Sequence, residues 1–333
     1  MPLRRAQIPA AAPAGICATG AACATGAVTG HDAAGPDGRR GAAEEPFFVE
    51  PGSPAARQAA EWRAAGLTAD ALLMDRIAAR PQAQWLTGPD PAADVRDRTT
   101  AAARQKRPAV LVACYIPHRD CGAHSAGGAP SAAAYRSWID AFAAGLGDRG
   151  AYVVVEPDAV PHTVGRARVD PAERYALPAY AVDRLGRQPG THVYLDAGNP
   201  GWIPDPVELV GPLRSSGVAR ADGIALNVSN FHQDPSTSTY GRRLSGLLGG
   251  THRVIDTSRN GNGPYLGPGT DLWCNPPGRA LGRPPTRRTG DPLIDAYRWI
   301  KRPGESDGTC RGGPAAGRWW ASHALELAAN ARG

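Results

Sequence analysis

The hydrophobic positions between residues 109 and 300 fall into short apolar runs separated by segments with helical periodicity. The apolar runs cover residues 109–116, 152–155, 192–195, 223–227, 253–255 and 296–300. Runs of this length predict buried strands, and the longer segments between them predict crossover helices. Because strands that alternate with helices form mostly parallel sheets, the pattern predicts an α/β fold, either a β/α barrel or a doubly wound sheet.

The clearest amphipathic helix follows the first apolar run. It is predicted to begin after Ser131, whose hydroxyl suits an N-cap, and its apolar positions define one buried face. Those positions are Tyr135, Trp138, Ile139, Phe142 and Leu146. The other predicted helices cover residues 55–79, 171–185, 206–213, 237–248 and 318–331. Within the first of these segments, Leu67 and Leu72 are among the predicted core positions.

The first 44 residues are rich in Ala, Gly and Pro and have no hydrophobic periodicity. Two interpretations stay open for them: a disordered tail, or an export signal in which Arg4 and Arg5 precede an Ala-rich stretch. Regular patterning begins near residue 45, so residues 45–333 are predicted to form one folded domain.

Charge and cysteine content exclude several classes of partner. The formal net charge of +6 comes from scattered arginines, and the one dense cluster, residues 283–288, is Pro-rich and lacks interleaved aromatics, so no nucleic-acid partner is expected. No apolar run is long enough to span a membrane. The six cysteines have no CxxC spacing, which argues against structural zinc, while their even number suits one or two disulfides in an exported protein. No glycine-rich phosphate loop follows a run, which argues against a nucleotide cofactor.

Polar residues follow the end of every apolar run. The acidic ones are Asp120, Asp158, Asp196 and Asp256, after the first, second, third and fifth runs. Others in the same positions are Asn199, Asn227, Asn230, Lys301 and Glu305. In β/α barrels the carboxyl ends of the strands meet at one face, so these side chains are predicted to converge on one cleft.

Clustered carboxylates serve either metal binding or glycoside hydrolysis. Each aspartate stands alone at its run end and the histidines are not grouped with them, so a metal-dependent hydrolase is the weaker alternative. Tryptophans in turn-like or loop positions, Trp85, Trp202 and Trp273, favour a sugar ligand because aromatic faces stack on pyranose rings. Core packing is the expected role of Trp62, Trp138, Trp319 and Trp320, which fall in helical patterns.

Seven stretches, in order along the chain, resemble the motifs of glycoside hydrolase family 6, whose members are inverting β-1,4-glucanases. They are CGAHSAGGAPSAAAYRSWIDAFAAGL, VVVEPDAV, VYLDAGNPGW, GIALNVSNF, VIDTSRNGNGP, WCNPPGRALG and WIKRPGESDG. The resemblance runs from about residue 45 to the C-terminus and implies that residues 45–333 are a catalytic domain. It implies a distorted, incomplete β/α barrel with parallel strands and an open active-site cleft, with no metal or other cofactor.

The resemblance assigns roles to the acidic residues. Asp158 is the implied general acid, Asp120 its supporting carboxylate, and Asp256 the implied base or charge stabiliser, with Asp196 in the same site. An acid must hold its proton near neutral pH, so we expect a desolvating strand end and the negative Asp120 to raise the pKa of Asp158.

The resemblance also implies substrate contacts and a disulfide. The predicted substrate-binding residues are Asp196, Lys301, Glu305, Trp85, Trp202, Trp273, Asn199, Asn230 and Tyr115. The predicted disulfide joins Cys274 and Cys310. The predicted partner is a β-1,4-glucan polysaccharide or a cello-oligosaccharide, and the protein is expected to be a secreted monomer. Because the segments 256–273 and 281–291 are short, an open cleft and internal chain cleavage are favoured over a tunnel.

One motif departs from the family pattern, which reads YNxPxRDC. Here CYIPHRDC places Cys114 where the family has a sugar-distorting Tyr, and Tyr115 where it has Asn. Cys121 lacks its usual partner, because residues 161–170 contain no cysteine; it is either free or paired differently, with Cys114 as its nearest candidate. Two functions are therefore carried forward: an endo-acting glucanase, or a glucan-binding family member with weakened or lost catalysis.

Overall fold

Seven parallel strands form one sheet in which each strand pairs with the next along the chain. The strands are β1 (Gln84–Leu86), β2 (Ala109–Ala113), β3 (Ala151–Val155), β4 (Thr191–Asp196), β5 (Gly223–Leu226), β6 (His252–Asp256) and β7 (Ile294–Arg298). This is a computed structural model that describes residues 47–122, 126–164 and 170–332. A doubly wound sheet reverses its strand order at a switch point, whereas the unbroken order here is that of a barrel.

Eight α-helices accompany the strands in the described ranges. They are α1 (Pro54–Ala64), α2 (Thr68–Ala78), α3 (Ala92–Arg104), α4 (Ala132–Leu146), α5 (Pro171–Leu185), α6 (Val207–Ser215), α7 (Asp234–Leu247) and α8 (Ala321–Asn330). The predicted N-cap of α4 is confirmed, because the Ser131 hydroxyl accepts a hydrogen bond from the Ala134 N–H at 3.2 Å. All five apolar positions predicted for α4 are buried.

The two faces of the sheet bury different cores. On β2, Val110 and Val112 belong to the cluster inside the barrel, whereas Leu111 and Ala113 pack against the surrounding helices. This alternation follows from the two-residue period of a strand. Because both faces are covered, the strands read in the sequence as continuous apolar runs.

The barrel is incomplete between its first and last strands. No strand register joins β7 to β1 in the described part of the chain. The two edges instead meet through the Ala83 N–H, which donates to the Trp299 carbonyl at 2.9 Å, and the Trp85 indole N–H, which donates to the Ile300 carbonyl at 2.8 Å. The predicted incomplete β/α barrel is thereby confirmed.

Several predicted boundaries differ from the structure. Strand β2 ends at Ala113 rather than at residue 116, and β7 starts and ends two residues earlier than predicted. Helices α1 and α2 cover the segment 55–79 as predicted, but Leu67 and Leu72, at 48% and 62% exposure, do not lie in the core. Trp319 and Trp320 precede α8 rather than lying within it.

Two elements were absent from the sequence prediction. Strand β1 contains only three residues, and Trp85, predicted in a turn or loop, lies in it. Helix α3 buries only the small face formed by Val95, Thr99 and Ala102. Both are too weakly patterned for periodicity to detect.

All described elements belong to one compact unit. The prediction of a tail or an export signal over residues 1–44 lies outside the described residues. None of the described helices has the length and apolar character needed to cross a membrane.

Candidate active site

The residues predicted at the run ends do gather along the carboxyl ends of the strands, which we call the strand-end rim. Asp120 follows β2, Asp158 follows β3, Asp196 closes β4, Asp256 closes β6 and Lys301 follows β7. The Asp158 backbone N–H donates to Asp196 and the Lys301 backbone N–H donates to Asp256, while electrostatic interactions link Asp158 to Asp120 and Asp196 to Asp256. The rim is therefore one continuous site rather than a set of separate loop residues.

The Asp158 carboxyl has the environment of a proton donor. Asp158 is half-buried, and its backbone N–H donates to Asp196 Oδ2 at 2.9 Å. Burial raises the pKa of Asp158 well above its usual value, and the neighbouring Asp196 and Asp120 carboxylates raise it further. Desolvation and like charge both favour the neutral form of a carboxyl. Asp158 is thus held protonated at pH values where a free carboxyl is ionised.

Asp196 is fully buried directly beside this donor. Burial raises the pKa of Asp196 to about 7, although N–H groups that include those of Asp158 and Gly198 act in the opposite direction. Its Oδ2 accepts both of these N–H groups, while its buried Oδ1 has no partner among the described residues. A buried charged oxygen without a partner is costly, which also favours the neutral form.

Asp256 is saturated by backbone donors. Its side chain is completely buried, and its two oxygens accept four backbone N–H groups at distances between 2.9 and 3.2 Å. The donors are Ser229, Ser258, Ile300 and Lys301. An ionised carboxylate has about four acceptor positions, so no position is left for a substrate or a water molecule. The geometry gives Asp256 a structural task, in which it joins the ends of β5, β6 and β7.

Asp307 is a carboxylate of the site that the sequence prediction missed. Arg259 Nη1 lies 2.9 Å from both of its oxygens, and Lys301 Nζ lies 3.6 Å from Oδ1. Burial raises the pKa of Asp307, but Arg259 and then Lys301 outweigh burial and lower it. Asp307 therefore stays ionised. Its position two residues after Glu305, in the same motif, was the available sequence signal.

The three predicted aromatic residues differ in exposure. Trp202 and Trp273 are 37% and 41% exposed, as a stacking surface requires. The Trp202 ring is held from one side by His162, with ring centroids 4.9 Å apart. Trp85 is half-buried, and Lys301 Nζ lies 6.0 Å from its ring centroid. Trp85 and Lys301 are thus brought together at the gap between β7 and β1.

The remaining predicted contacts are mostly committed to local structure. Asn199 Oδ1 accepts the N–H groups of Gly201 and Trp202, so it shapes the Trp202 turn. Asn230 Oδ1 accepts the Phe231 N–H. Glu305 is half-buried and lies 3.3 Å from Arg302 Nε, and burial raises its pKa.

Tyr115 does not occupy the space that Cys114 leaves. Cys114 is buried among the residues inside the barrel, whereas the Tyr115 ring stacks on Trp138 of α4 at 5.1 Å, on the helix side of the sheet. The two side chains pack in different clusters on opposite sides of the sheet, so the Tyr115 ring does not replace a ring at position 114.

Four of the six cysteines lie in the described residues. The predicted disulfide between Cys274 and Cys310 is formed. Cys114 and Cys121 are free thiols, which decides between the two alternatives left open for Cys121. Burial raises the pKa of the Cys114 thiol far above its usual value. In the part of the chain that the structure describes, no group of three or more His, Cys, Asp or Glu side chains is arranged to hold a metal ion.

Comparison with known proteins gives concordant matches. A family model described as glycosyl hydrolases family 6 matches residues 42–331. The chain is 42% identical over 300 residues to endoglucanase A of Thermobispora bispora, covering 86% of this chain and 63% of that protein. It is 41% identical over 290 residues to endoglucanase A of Cellulomonas fimi, covering 86% and 61%. The chain spans about three-fifths of the length of these two relatives.

Two solved structures have a similar fold. The endoglucanase Cel6 from Mycobacterium tuberculosis, in complex with methyl-cellobiosyl-4-deoxy-4-thio-β-D-cellobioside, is 45% identical with a TM-score of 0.79, covering 87% of this chain and 98% of that one. Endoglucanase CEL6B from Humicola insolens has a TM-score of 0.74 at 24% identity, covering 87% and 97%. The second match speaks for the fold alone.

Proposed function

This chain belongs to the glycosyl hydrolases family 6, and from that premise we propose that it cleaves internal β-1,4-glucosidic bonds of cellulose or related β-glucans. The observation that carries the proposal is the half-buried Asp158 carboxyl, whose burial and two acidic neighbours favour its protonated form. Relatives at 41–42% identity are named endoglucanases, which supports the same activity.

Asp158 is the proton donor of the proposed reaction. Its proton passes to the glycosidic oxygen as the bond to the anomeric carbon breaks, so the departing sugar leaves as a neutral hydroxyl. Burial first, and then the neighbouring Asp196 and Asp120 carboxyls, keep the proton on Asp158. General acid catalysis of this kind contributes roughly 10²–10⁴-fold to a rate.

Asp307 is the proposed base, in place of Asp256. A base must be ionised, and Arg259 and Lys301 keep Asp307 in that state, whereas all acceptor positions of Asp256 are occupied. Asp307 accepts a proton as water attacks the anomeric carbon from the face opposite the leaving group. The product therefore has the inverted anomeric configuration.

Exposed aromatic rings and short loops support the substrate and the mode of attack. Trp202 and Trp273 offer ring faces to pyranose units, and Trp85 with Lys301 offers a half-buried ring beside a cation. The short segments 256–273 and 281–291 favour an open cleft that a chain enters from the side. Such a cleft favours cleavage within the chain over cleavage from an end.

Incubation with carboxymethylcellulose tests the proposal. We expect viscosity to fall early, before many reducing ends appear, because internal cleavage shortens chains rapidly. Asp158→Ala is the matched control and should abolish both signals. Proton NMR of cellohexaose products should show the α-anomer first. No reducing ends from the parent protein at any pH from 4 to 9 would reject the proposed activity.

A second function is favoured by one observation, the burial of Cys114 where the family places a ring. Tyr115 is stacked on Trp138 and does not replace that ring. The alternative is a glucan-binding protein with weak or no catalysis. It requires calorimetric binding of cellohexaose by the parent protein with no detectable turnover; rapid turnover would reject it.

Export and a monomeric state complete the proposal. The disulfide between Cys274 and Cys310 supports an oxidising destination, because such bonds persist mainly outside the cytosol. Light scattering of the purified protein should give a mass near 34.7 kDa. Fractionation of an expressing culture should place the activity in the medium.

A further inference from the structure

We propose that Glu156 is a positioning residue for the proton donor: its carboxylate holds the segment that carries Asp120 against the turn that carries Asp158. This inference deepens the proposed function and rests on Asp158 as its acid. Glu156 was not among the residues predicted for the site. It touches neither the proposed reaction centre nor an exposed surface.

The Glu156 carboxylate forms a clamp on the exit of β2. Its side chain is buried, and it accepts the Tyr115 N–H at 2.9 and 3.1 Å and the Ile116 N–H at 3.0 Å. The backbone N–H of Glu156 itself donates to the Ala113 carbonyl at 2.8 Å. The side chain and backbone of Glu156 therefore bind three residues of the neighbouring segment, Ala113, Tyr115 and Ile116, which explains why β2 ends at Ala113.

The clamp also closes the base of the loop that carries Asp120. After leaving Tyr115 the loop returns, and the Ala129 N–H donates to the Tyr115 carbonyl at 2.8 Å. Arg119 donates to the Cys114 carbonyl at 2.6 Å. The Glu156 carboxylate binds the start of the loop at Tyr115 and Ile116, and the end of the loop at Ala129 is bonded to Tyr115. Glu156 therefore holds both ends of the loop in place.

Backbone strain makes such a clamp necessary. Glu156 and Asp158 have φ values of 46° and 70°, and Asp120 and Cys121 have 56° and 47°. Residues other than glycine adopt this left-handed region at a cost, and they stay there only when their surroundings hold them. Both turns that carry the paired carboxyls are strained, and Glu156 is the side chain that ties one to the other.

The expected consequence is electrostatic. If the Asp120 segment moves away, Asp158 becomes more hydrated and loses a negative neighbour, and both changes favour its ionised form. The charged and titratable groups that face Glu156 are Tyr135, Arg119, Cys114 and Arg174. Burial raises the pKa of Glu156 to about 7, so replacement by Gln removes a charge only where Glu156 is ionised. The Asp158 carboxyl itself must therefore be observed.

The test is an NMR titration of the ¹³C-labelled Asp158 carboxyl in the parent and in Glu156→Gln. Gln keeps one acceptor oxygen and turns an amide N–H₂ toward backbone donors, so it breaks the clamp at constant size. We expect the Asp158 midpoint to fall by about one pH unit, a tenfold change in its proton affinity. Amide exchange at Tyr115 and Ile116 should accelerate, and kcat should fall more than KM rises.

Asp222→Asn is the matched control. Asp222 Oδ2 accepts the Val193 N–H at 2.8 Å, so it too binds a backbone donor of the neighbouring strand, but at the opposite end of the sheet. The Asp222→Asn variant should therefore be less stable than the parent protein but have an unchanged Asp158 titration midpoint. Should Glu156→Gln fail to fold, Glu156→Asp, whose shorter side chain cannot reach both donors, should give a smaller shift in the same direction.

An Asp158 midpoint that is unchanged in the Glu156 variants, or that shifts equally in Asp222→Asn, would overturn the inference. The titration does not depend on turnover. A parent protein that fails to hydrolyse glucan would reject the proposed function, while the effect of Glu156 on Asp158 would still be measured.

Discussion

Asp158 lies on the strand-end rim and Asp307 contacts the rim residue Lys301, yet their surroundings drive the two carboxyls to opposite protonation states. Asp158 has carboxyls for neighbours, and its pKa is raised by burial, Asp196 and Asp120. Asp307 is also buried, but Arg259 and Lys301 lower its pKa. The difference teaches that burial alone does not decide the state of an aspartate; the sign of the charge beside it does.

The partners of Asp307 are themselves fixed by the fold. Arg259 is fully buried and lies over the Phe231 ring at 4.4 Å, and Nη2 donates to the Ser229 carbonyl at 2.6 Å. The Lys301 backbone N–H is held by Asp256. The Asp307 region is thus a compensated charge cluster, whereas the Asp158 region is a set of carboxyls that share too little positive charge to ionise together.

The largest expected effect is on kcat, and it should depend on the leaving group for an Asp158 variant but not for an Asp307 variant. Asp158→Asn should lower kcat on cello-oligosaccharides by roughly 10²–10⁴-fold, because it removes the proton donor. On an aryl cellobioside whose phenolate leaves unprotonated, the loss should be small. Asp307→Asn should lower kcat for both substrates alike, because water attack is needed in each. Steady-state kinetics on the two substrates measure this.

Two results would contradict that assignment. Equal losses on both substrates in Asp158→Asn would mean that Asp158 is not the acid. Full activity of Asp307→Asn, together with a large loss in Asp256→Asn that exogenous azide restores, would return the base role to Asp256.

The next effect concerns stability. Arg259→Met removes one partner of a buried ion pair and should destabilise the protein by about 3–5 kcal/mol, because Asp307 stays buried with Lys301 as its remaining cation. Asp158→Asn replaces a protonated carboxyl by a neutral group of the same shape and should change stability by less than about 1 kcal/mol. Urea unfolding at neutral pH measures the unfolding free energy of both variants. An equal loss of unfolding free energy in the two variants would contradict the difference between the regions.

The pH dependence of stability should also differ in sign. The folded pKa of Asp196 is raised to about 7, so the folded state binds more protons than the unfolded state between about pH 4 and that value. Asp196 therefore makes stability fall as pH rises through this interval, by at most about 1.4 kcal/mol per pH unit. The folded pKa of Asp307 is lowered, so its contribution is present above its ordinary pKa and is lost as pH falls through the folded value.

Asp196→Asn isolates the first of these contributions. It should flatten the decline of the unfolding free energy over that pH interval and leave the acid side, set by groups such as Asp307, unchanged. Denaturant melts across the interval provide the measurement. An unchanged decline in the variant would show that Asp196 is ionised in the folded state over this interval.

Much of the fold was predictable because its signals are local. Apolar runs marked six of the seven strands, and the Ser131 cap with its apolar face marked α4. Strand β1 was not predictable, since three residues carry no period and the strand exists through its pairing of Gln84 with Leu111. The end of β2 was likewise hidden, because the Glu156 carboxylate that captures the next N–H groups lies 40 residues away.

The candidate site divides in the same way. The motifs pointed to Asp120, Asp158 and Asp196, and the structure places these carboxyls near one another because each stands at a strand end and strand ends converge. The sequence could not show that backbone N–H groups occupy all acceptor positions of Asp256, or that Asp307 forms an ion pair with Arg259. Both contacts arise from packing between segments far apart in the chain. They determine that Asp256 has a structural role and that Asp307 stays ionised.

The smallest predicted effect concerns Cys114, which lies at the Asp158 side of the rim inside the barrel. Cys114→Tyr should raise kcat by about tenfold, the rate equivalent of roughly 1.4 kcal/mol, by returning a ring that can force the sugar out of its chair. The larger side chain should cost about 1–3 kcal/mol of stability, because Cys114 is packed among apolar residues of the barrel.

Cys114→Ser, which adds no ring, is the control and should not increase the rate. Because the ring would act on the sugar and not on a proton, the acid and alkaline limits of the pH–rate profile should stay where they are in the parent protein. A gain in rate accompanied by a shifted alkaline limit would mean instead that position 114 acts through Asp158. The regions around Asp158 and Asp307 would then differ in packing as well as in charge.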